Sequence, residues 1–456
     1  MPSRRTFLGT TGLAFLGLQN YATARTETRL IAPFGPLLAD PAKILDLPEG
    51  FSYRVLATRG EPMSDGYKVP GAPDGMAAFP GPDGKVVLVC NHELGLAQTA
   101  MGPFTDNTRL PDGFDPALAY NPGTEGRNPA LGGTTNLVFD PATGTKTAHF
   151  LSLFGTDRNC AGGKVGDTWI TCEEPDDMLT TRGKLHGWCY AVHATSTPGL
   201  QQPAPLKALG RFRHEAVALD PKTGILYLTE DRDDGLLYRF LPETRGDFTK
   251  GKLQALAVIN RPSCHLRNFH ATTNWPVPGQ PFQVTWIDLD DIEAPKDDLR
   301  VRGHEADAAA FPRSEGIHLA DGAFYICCTN GGPHKLGQIF RLDPSGDPAK
   351  PDTLQLFLQP EASDLLTNGD NLCPAPWGGI VICEDLVAEP KPGEKKPAAH
   401  VRCVTPQGKI ITLARNPADG EFAGCCFSPD GKWFFVNLQT RGLTLAVTGP
   451  WDKAIA

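Results

Sequence analysis

The stretch NCAGGKVGDTWITCEE, Asn159 to Glu174, carries the pattern from which the fold of this chain is predicted. Two short runs of β-prone residues flank a glycine-containing turn, which predicts a β-hairpin. Cys160 lies at the start of the first predicted strand, and Glu173 and Glu174 lie at the end of the second. The hairpin therefore places a thiol at one end and paired carboxylates at the other.

The same pattern recurs along the chain. Each copy has a polar or acidic residue, a short strand, a glycine-containing turn, a second apolar strand, and a terminal carboxylate or amide. The copies begin roughly 50 to 100 residues apart, which leaves room for two further strands in each repeat. Such repeats are typical of propellers with four-stranded blades, so we predict an all-β, six-bladed β-propeller whose loop insertions cover one end of the central channel. The six copies are Pro73–Glu93, Asn159–Glu174, His214–Asp231, Ser314–Asn330, Gly369–Asp385 and Glu421–Gln439.

The composition agrees with a β-rich fold. The 456 residues include 49 glycines and 42 prolines, which favours many turns and short strands over a helical bundle. A formal net charge of −9 gives no indication of a nucleic-acid-binding surface. The longest insertion is expected between Phe240 and Phe311, where we predict loops on one face, and a further hairpin is predicted from Thr134 to Gly144.

The N-terminus reads MPSRRTFLGTTGLAFLGLQNYATA, residues Met1 to Ala24. Arg4 and Arg5 precede a short, mildly apolar run that is too short to span a membrane, and Ala22 to Ala24 resemble a cleavage site. We interpret residues 1–24 as an export signal for the twin-arginine machinery. Residues 25–456 are then expected to form one propeller domain that acts in the periplasm or is secreted, with no membrane span.

The chain contains twelve cysteines, several of them inside apolar strand patterns. Cys327–Cys328 and Cys425–Cys426 are adjacent pairs, and neighbours in a strand point to opposite faces. We therefore expect mostly buried free thiols and no disulfide framework. Because the chain has no CxxC motif, it does not indicate a structural zinc site.

The residues that open the repeats are candidate metal ligands. In a propeller the first strand of each blade faces the central channel, so these side chains would form a ring at one end of it. Carboxylates and a thiol brought together there would repel one another and be costly to bury without cations. We therefore predict that at least three members of this ring bind metal ions. The ring consists of Asp74, Cys160, Glu215, Glu315, Asp370 and Glu421.

From Ile44 to the last repeat, the chain resembles the PhoX family of secreted bacterial alkaline phosphatases. The order and number of short motifs carry the resemblance. It implies a six-bladed propeller with ferric iron and calcium in the channel, and hydrolysis of phosphate esters. The motifs are DGMAAF followed by NHE, NCAGG followed by TCEE, GRFRHEAV, FPRSEG, and FSPDG followed by FVNLQ.

The resemblance also implies roles for individual residues. Cys160 resembles the cysteine whose thiolate binds iron in the family, and Arg313 resembles the arginine that holds the substrate phosphate. Thiolate suits iron, and carboxylate oxygens suit calcium and ferric ions. The remaining implied metal ligands are Glu174, Glu215 and Glu315, shared between iron and calcium, and Asp370, with calcium; Glu93 and Glu421 are further metal-ligand candidates.

Other polar residues of the repeats have less defined roles. His92 and His214 are interpreted as packing residues or as hydrogen-bond partners of ligands, with direct ligation as the alternative. Lower-ranked ligand candidates are Glu173, Glu230 and Asp231.

The chain departs from the family pattern at two places. Gln439 to Gly442 reads Gln-Thr-Arg-Gly where the family usually has Gln-His-Pro-Gly. Asn368 aligns with a lysine that contacts phosphate in the family. Lys335 or Arg441 could replace that positive charge.

We therefore predict an exported, monomeric phosphatase acting on small-molecule phosphate monoesters, with diesters as further substrates. One alternative is a lactonase-like hydrolase that depends on calcium alone. Another is a metal-stabilised propeller that binds a ligand without catalysis.

Overall fold

The computed structural model of the chain describes residues 30–179, 183–269, 275–385 and 398–454. The predicted export signal, residues 1–24, lies outside the described residues. Within these ranges the fold is almost entirely β-structure, with one short α-helix, α1 (Leu299–Glu305). Short 3-10 turns span Pro82–Gly84, Thr99–Met101, Pro116–Leu118, Lys207–Leu209 and Trp451–Ala454. No helix in the described ranges has the length and apolar character needed to cross a membrane.

The strands alternate with short turns along the whole chain. The first half contains β1 (Leu30–Ile31), β2 (Leu37–Leu38), β3 (Leu47–Pro48), β4 (Ser52–Thr58), β5 (Pro73–Pro80), β6 (Val86–His92), β7 (Gly132–Asp140), β8 (Thr145–Thr156), β9 (Asn159–Val165), β10 (Thr168–Glu173), β11 (Cys189–His193), β12 (His214–Leu219), β13 (Leu226–Glu230) and β14 (Gly235–Pro242). The second half contains β15 (Gly251–Val258), β16 (Pro281–Asp288), β17 (Ala310–Phe311), β18 (Ser314–Ala320), β19 (Ala323–Cys328), β20 (Gln338–Asp343), β21 (Asp352–Leu358), β22 (Gly369–Pro374), β23 (Ile380–Glu384), β24 (His400–Val404), β25 (Ile410–Arg415), β26 (Phe422–Phe427), β27 (Phe434–Leu438) and β28 (Leu443–Thr448).

All six predicted repeat hairpins are confirmed as antiparallel pairs: β5–β6, β9–β10, β12–β13, β18–β19, β22–β23 and β26–β27. The additional hairpin predicted from Thr134 to Gly144 is also present, as β7 and β8. Further antiparallel strands extend most of these hairpins into larger sheets, such as the four-stranded sheet β5-β6-β7-β8. The early strand β4 pairs with the last strand β28, so segments from both ends of the described chain share one sheet.

The first strands of the six hairpins pack against one another in sequence, and β26 returns to β5. They form a closed ring, which gives the fold a propeller-like arrangement around an axis. A cavity of about 370 Å³ lies on this axis, lined by the second halves of the ring strands.

Glycines allow neighbouring ring strands to approach closely. A Cβ atom on Gly75 of β5 would come within 2.6 Å of the Ala161 Cα of β9. A Cβ atom on Gly316 of β18 would come within 2.7 Å of the Asp370 carbonyl oxygen of β22. Real Cβ atoms do not tolerate such distances, so the glycines are required where the strands crowd around the axis.

The apolar core lies between adjacent sheets. Tyr227 and Leu256, from the β12–β16 part of the longest sheet, pack with Phe324 and Phe340, from its β18–β21 part, and all four side chains are buried. Burial of this kind at each sheet boundary contributes the main favourable term for folding.

The prediction that the residues between Phe240 and Phe311 form loops is wrong for part of this segment, although most of its described residues lie outside helices and strands. It contains β15, β16, α1 and β17. β16 pairs with both β15 and β21, and so joins two neighbouring sheets into one. Its partners in β21 lie 68 to 74 residues further along the chain, and a local sequence pattern does not reveal such a distant pairing.

Free thiols are confirmed. All twelve cysteines fall within the described ranges, all are unpaired, and only Cys264 is not fully buried.

Candidate metal centre

A β-bulge turns the predicted ligands toward the axis. In β18, Ser314 pairs with Cys328 and Ile317 pairs with Ile326, so Glu315 and Gly316 together face a single residue of β19. Such a bulge re-aims the side chain of the extra residue. The equivalent bulges in β5, β9, β12 and β22 contain Asp74, Cys160, Glu215 and Asp370.

These bulge residues converge with carboxylates from the ends of the second strands. Their ligand atoms form three overlapping groups, and the atoms within each group lie within 4.8 Å of one another. All members are buried or, for Asp370, half-buried. The structure thus brings together six of the seven predicted metal ligands and the ring residue Asp74. The groups are Asp74–Glu93–Cys160, Cys160–Glu174–Glu215 and Glu215–Glu315–Asp370.

Burial and mutual repulsion disfavour the ionised forms of these groups. Burial raises the pKa of Glu215 well above its ordinary value, and Glu315 and Asp370 raise it further. Burial likewise raises the pKa of the Cys160 thiol, with added contributions from Asp74 and Glu215. A nearby cation would reverse this effect, because an opposite charge stabilises the ionised form. Burial is also the largest cause of the raised pKa values of Asp74, Glu174, Glu315, Asp370 and Glu421.

Two ring carboxylates have buried oxygens without a hydrogen-bond donor in the described part of the chain. Both oxygens of Glu215, and Oδ1 of Asp74, are buried and have no hydrogen-bond partner within the described ranges. A buried carboxylate without donors is costly unless another positive group compensates it. The carboxylate oxygens at this point suit calcium and ferric ions, which are hard cations, and Cys160 would add one thiolate ligand.

Glu421 does not occupy the position expected from the repeat. In β26 the bulge falls on Gly424 and Cys425, whereas Glu421 precedes the strand. Glu421 belongs to none of these three overlapping groups. Its pKa is raised by burial and then by Asp385, so it lies at the edge of the same acidic region.

Arg313 lies beside the ring. Its Nε and Nη2 atoms donate to the two oxygens of Asp231, each at 2.8 Å, and Nη2 lies 3.0 Å from Oε1 of Glu315. Arg313 has a left-handed backbone (φ 56°) immediately before β18. The bidentate contact fixes the plane of the guanidinium group next to the buried acids.

Two further arginines were not identified from the sequence. Arg158 forms ion pairs with Glu93 and with Glu174, the latter at 3.7 Å. Arg213 pairs with Glu174 and lies 3.8 Å from Asp231. A sequence signal for them exists, because each arginine stands two residues before a bulge residue, as Arg313 does before Glu315.

Gln439 also contacts the acidic groups. Its Nε2 donates to Oδ2 of Asp74 at 2.6 Å and to Oε2 of Glu93 at 2.7 Å. The divergent segment that begins at Gln439 thus retains one side chain at the ring. Arg441 is directed elsewhere and donates to the Lys43 carbonyl at 2.7 Å.

Asn368 has a structural role where the family pattern has lysine. Its Nδ2 donates to the carbonyls of Thr329, at 2.6 Å, and Lys335, at 3.1 Å. The Lys335 ammonium group lies over the Phe269 ring, 5.2 Å from its centroid.

The histidines and the lower-ranked acids have defined protein partners. His92 bonds the Gly71 carbonyl and the Thr135 hydroxyl, and burial lowers its pKa to about 4. Nε2 of His214 donates to the Gly210 carbonyl at 3.0 Å. Glu173 accepts from His186 and from three backbone amides, which marks it as structural.

Glu230 and Asp231 differ in their surroundings. Oε2 of Glu230 accepts from the Tyr238 hydroxyl at 2.7 Å and from the Leu236 amide, so this oxygen serves the local fold. Asp231 instead binds Arg313, which connects it to the ring.

One family model matches most of the chain. The family model described as alkaline phosphatase PhoX matches residues 32–442. The structure of Pseudomonas fluorescens PhoX in complex with vanadate, a transition state analogue, has 18% sequence identity and a TM-score of 0.67, covering 92% of this chain and 98% of that chain. This likeness shows a shared fold.

Other solved structures are more distant. XC5397, a gluconolactonase from Xanthomonas campestris, has 11% identity and a TM-score of 0.41, covering 91% of this chain and 98% of that chain. The Pseudomonas aeruginosa periplasmic gluconolactonase PpgL has 14% identity and a TM-score of 0.37, covering 88% and 93%. Among curated proteins, none matches this sequence.

Proposed function

The chain belongs to the alkaline phosphatase PhoX family and is therefore a phosphoric ester hydrolase, and we propose that it hydrolyses phosphate monoesters at an iron–calcium cluster in its channel. The proposal extends to an exported protein with six blades. The ring of strands β5, β9, β12, β18, β22 and β26 supports the blade number. The twin-arginine sequence at Arg4 and Arg5 supports export to the periplasm or beyond.

One observation carries the proposal. Buried carboxylates from different strands and the Cys160 thiol converge, and burial and their neighbours raise their pKa values. The ligand set assigned to the ions is Cys160, Glu174, Glu215, Glu315 and Asp370, with Asp74 and Glu93 beside them and Glu421 at the edge. Bound there, the ions would supply neutralisation of charge on the phosphoryl oxygens and activation of water.

Arg313 would bind the phosphoryl group and orient it. Its guanidinium plane is held by Asp231 at 2.8 Å, and the side chain remains one-quarter exposed. A pre-oriented guanidinium group offers a planar contact to phosphate oxygens without reorganisation during the reaction. Asp231 is therefore a positioning residue that acts through Arg313.

The test combines metal content with turnover. Purified protein is analysed for iron and calcium and then assayed with p-nitrophenyl phosphate before and after chelation. We expect both metals and a phosphatase activity that chelation removes. Calcium alone with esterase activity would favour a lactonase-like enzyme, and metals without turnover of any phosphate ester would favour a binding propeller.

A further inference from the structure

Three arginines occupy the same position in three successive ring strands. Arg158, Arg213 and Arg313 stand two residues before the bulge residues Cys160, Glu215 and Glu315. The corresponding positions before Asp74 and Asp370 hold Ala72 and Asn368. The arginines are therefore confined to one side of the ring, at β9, β12 and β18.

Shared carboxylates join the three guanidinium groups into a continuous arc. Glu174 pairs with both Arg158 and Arg213. Asp231 pairs with both Arg213 and Arg313, through the same oxygen, at 3.8 and 2.8 Å. Neighbouring guanidinium groups are thus close enough to contact adjacent anionic groups of one small molecule.

The arc lies between the buried acids and solvent. The side chains of Arg158, Arg213 and Arg313 are 24%, 17% and 25% exposed, whereas those of Glu174 and Asp231 are each 5% exposed. An anion that approaches the ring from this side meets the arginines first. Two more ring acids contact the arc from the buried side, Glu93 at Arg158 and Glu315 at Arg313. On the exposed side Asp176 lies 3.5 Å from Arg158, but it is 74% exposed and strongly solvated.

A single phosphoryl group does not account for three arginines. Arg313 and the proposed ions already provide the contacts that a phosphomonoester requires. Arg158 and Arg213 remain, and guanidinium groups are suited to binding carboxylate or phosphate oxygens.

We propose that Arg158 and Arg213 bind a second anionic group on the leaving-group side of the substrate, so that the enzyme prefers phosphate esters whose leaving group carries a carboxylate or a second phosphate. This inference rests on the proposed phosphatase function. The two arginines would select the substrate, because they would contact the second anionic group of the leaving group, which the reaction does not change.

A matched pair of substrates tests the inference. Glycerol 2-phosphate and 2-phosphoglycerate have the same carbon skeleton, but only the second has a carboxylate on the leaving group. We expect the wild-type enzyme to have a higher kcat/KM for 2-phosphoglycerate, chiefly through a lower KM. In Arg213→Gln this preference should fall about tenfold or more, the effect expected of one charge-assisted hydrogen bond. Arg158→Gln should act in the same direction, and Arg213→Lys should retain part of the preference.

Control measurements distinguish a role of the arginines in substrate selection from a role in supporting the metal ligands. Arg300→Gln alters another 17%-exposed arginine, paired with Asp234 outside the arc, and should leave the preference unchanged. Iron and calcium contents should be equal in the wild type and in the arginine variants. Equal losses for both substrates, with lost metal, would mean that the arginines only support the ligands and would overturn the inference.

The two proposals fail differently. Hydrolysis of both substrates without any preference by the wild-type enzyme would overturn this inference and leave the phosphatase function intact. If the metal-loaded wild-type enzyme hydrolysed neither of these substrates nor p-nitrophenyl phosphate, both proposals would be overturned.

Discussion

Glu215→Gln should change the stability of the protein in opposite directions with and without metal. Glu215 belongs to two of the three ligand groups, and neither of its oxygens has a hydrogen-bond partner in the described part of the chain. Its nearest acidic atoms lie within 4.8 Å. At that distance, with an effective dielectric constant of about 20, two unit charges repel by about 3 kcal/mol.

The substitution removes this repulsion but also removes a ligand. The metal-free variant should be about 1 to 3 kcal/mol more stable than the metal-free wild type, because part of the repulsion is already relieved by protonation. The gain should grow as the pH rises above the ordinary carboxyl range, because more of the carboxyls with raised pKa values are then ionised. With iron and calcium present, the variant should be less stable than the wild type, because it binds the ions more weakly.

Chemical unfolding of metal-free and metal-loaded protein measures both effects. Glu173→Gln is the matched control, because Glu173 is equally buried but its oxygens accept four hydrogen bonds. That variant should lose stability in both states. If Glu215→Gln destabilised the metal-free protein as much as Glu173→Gln does, the mutual repulsion at the ring would be refuted.

Three further predictions concern the site. Cys160→Ala should remove the visible absorption of a ferric thiolate and abolish turnover. The control variant Cys403→Ala, which removes a buried thiol elsewhere, should retain both. Absorption retained in Cys160→Ala would exclude Cys160 as an iron ligand. Arg313→Ala should raise KM or lower kcat, by about tenfold or more in kcat/KM, with metals still bound; metal loss would instead indicate a structural role. The raised carboxyl pKa values mean that the folded metal-free protein holds protons more tightly than the unfolded chain, so its stability should fall as the pH rises above the ordinary carboxyl pKa of about 4 to 5. Metal-loaded protein should lack this decline in unfolding experiments, and an equal decline in both states would contradict the ring's need for cations.

The hairpins were predictable from the sequence because their signals are local. Turn residues between β-prone runs identify each one without knowledge of its partners. The bulges were not predictable, since the extra residue is defined only by the register between two strands. This is why Glu421 was placed in the ring, whereas the structure has Gly424 at the bulge.

The residues that converge at the ring were also largely predictable, because an acidic residue or a cysteine stands second in five of the six repeat copies. The arginine arc was not, although its spacing is visible in the sequence. Its bridging acids, Glu174 and Asp231, come from the second strands of neighbouring hairpins, and only the packed ring brings them to Arg213. The strand β16 escaped prediction for a similar reason, since it pairs with the distant β21.

Anomalous X-ray scattering from crystals of the metal-loaded protein, at the iron absorption edge, would locate the proposed iron ion. We expect an iron peak within bonding distance of the Cys160 sulfur and of carboxylate oxygens from Glu174 or Glu215. Crystals of iron-containing protein that showed no peak between these side chains, or a peak only elsewhere in the molecule, would contradict this expectation.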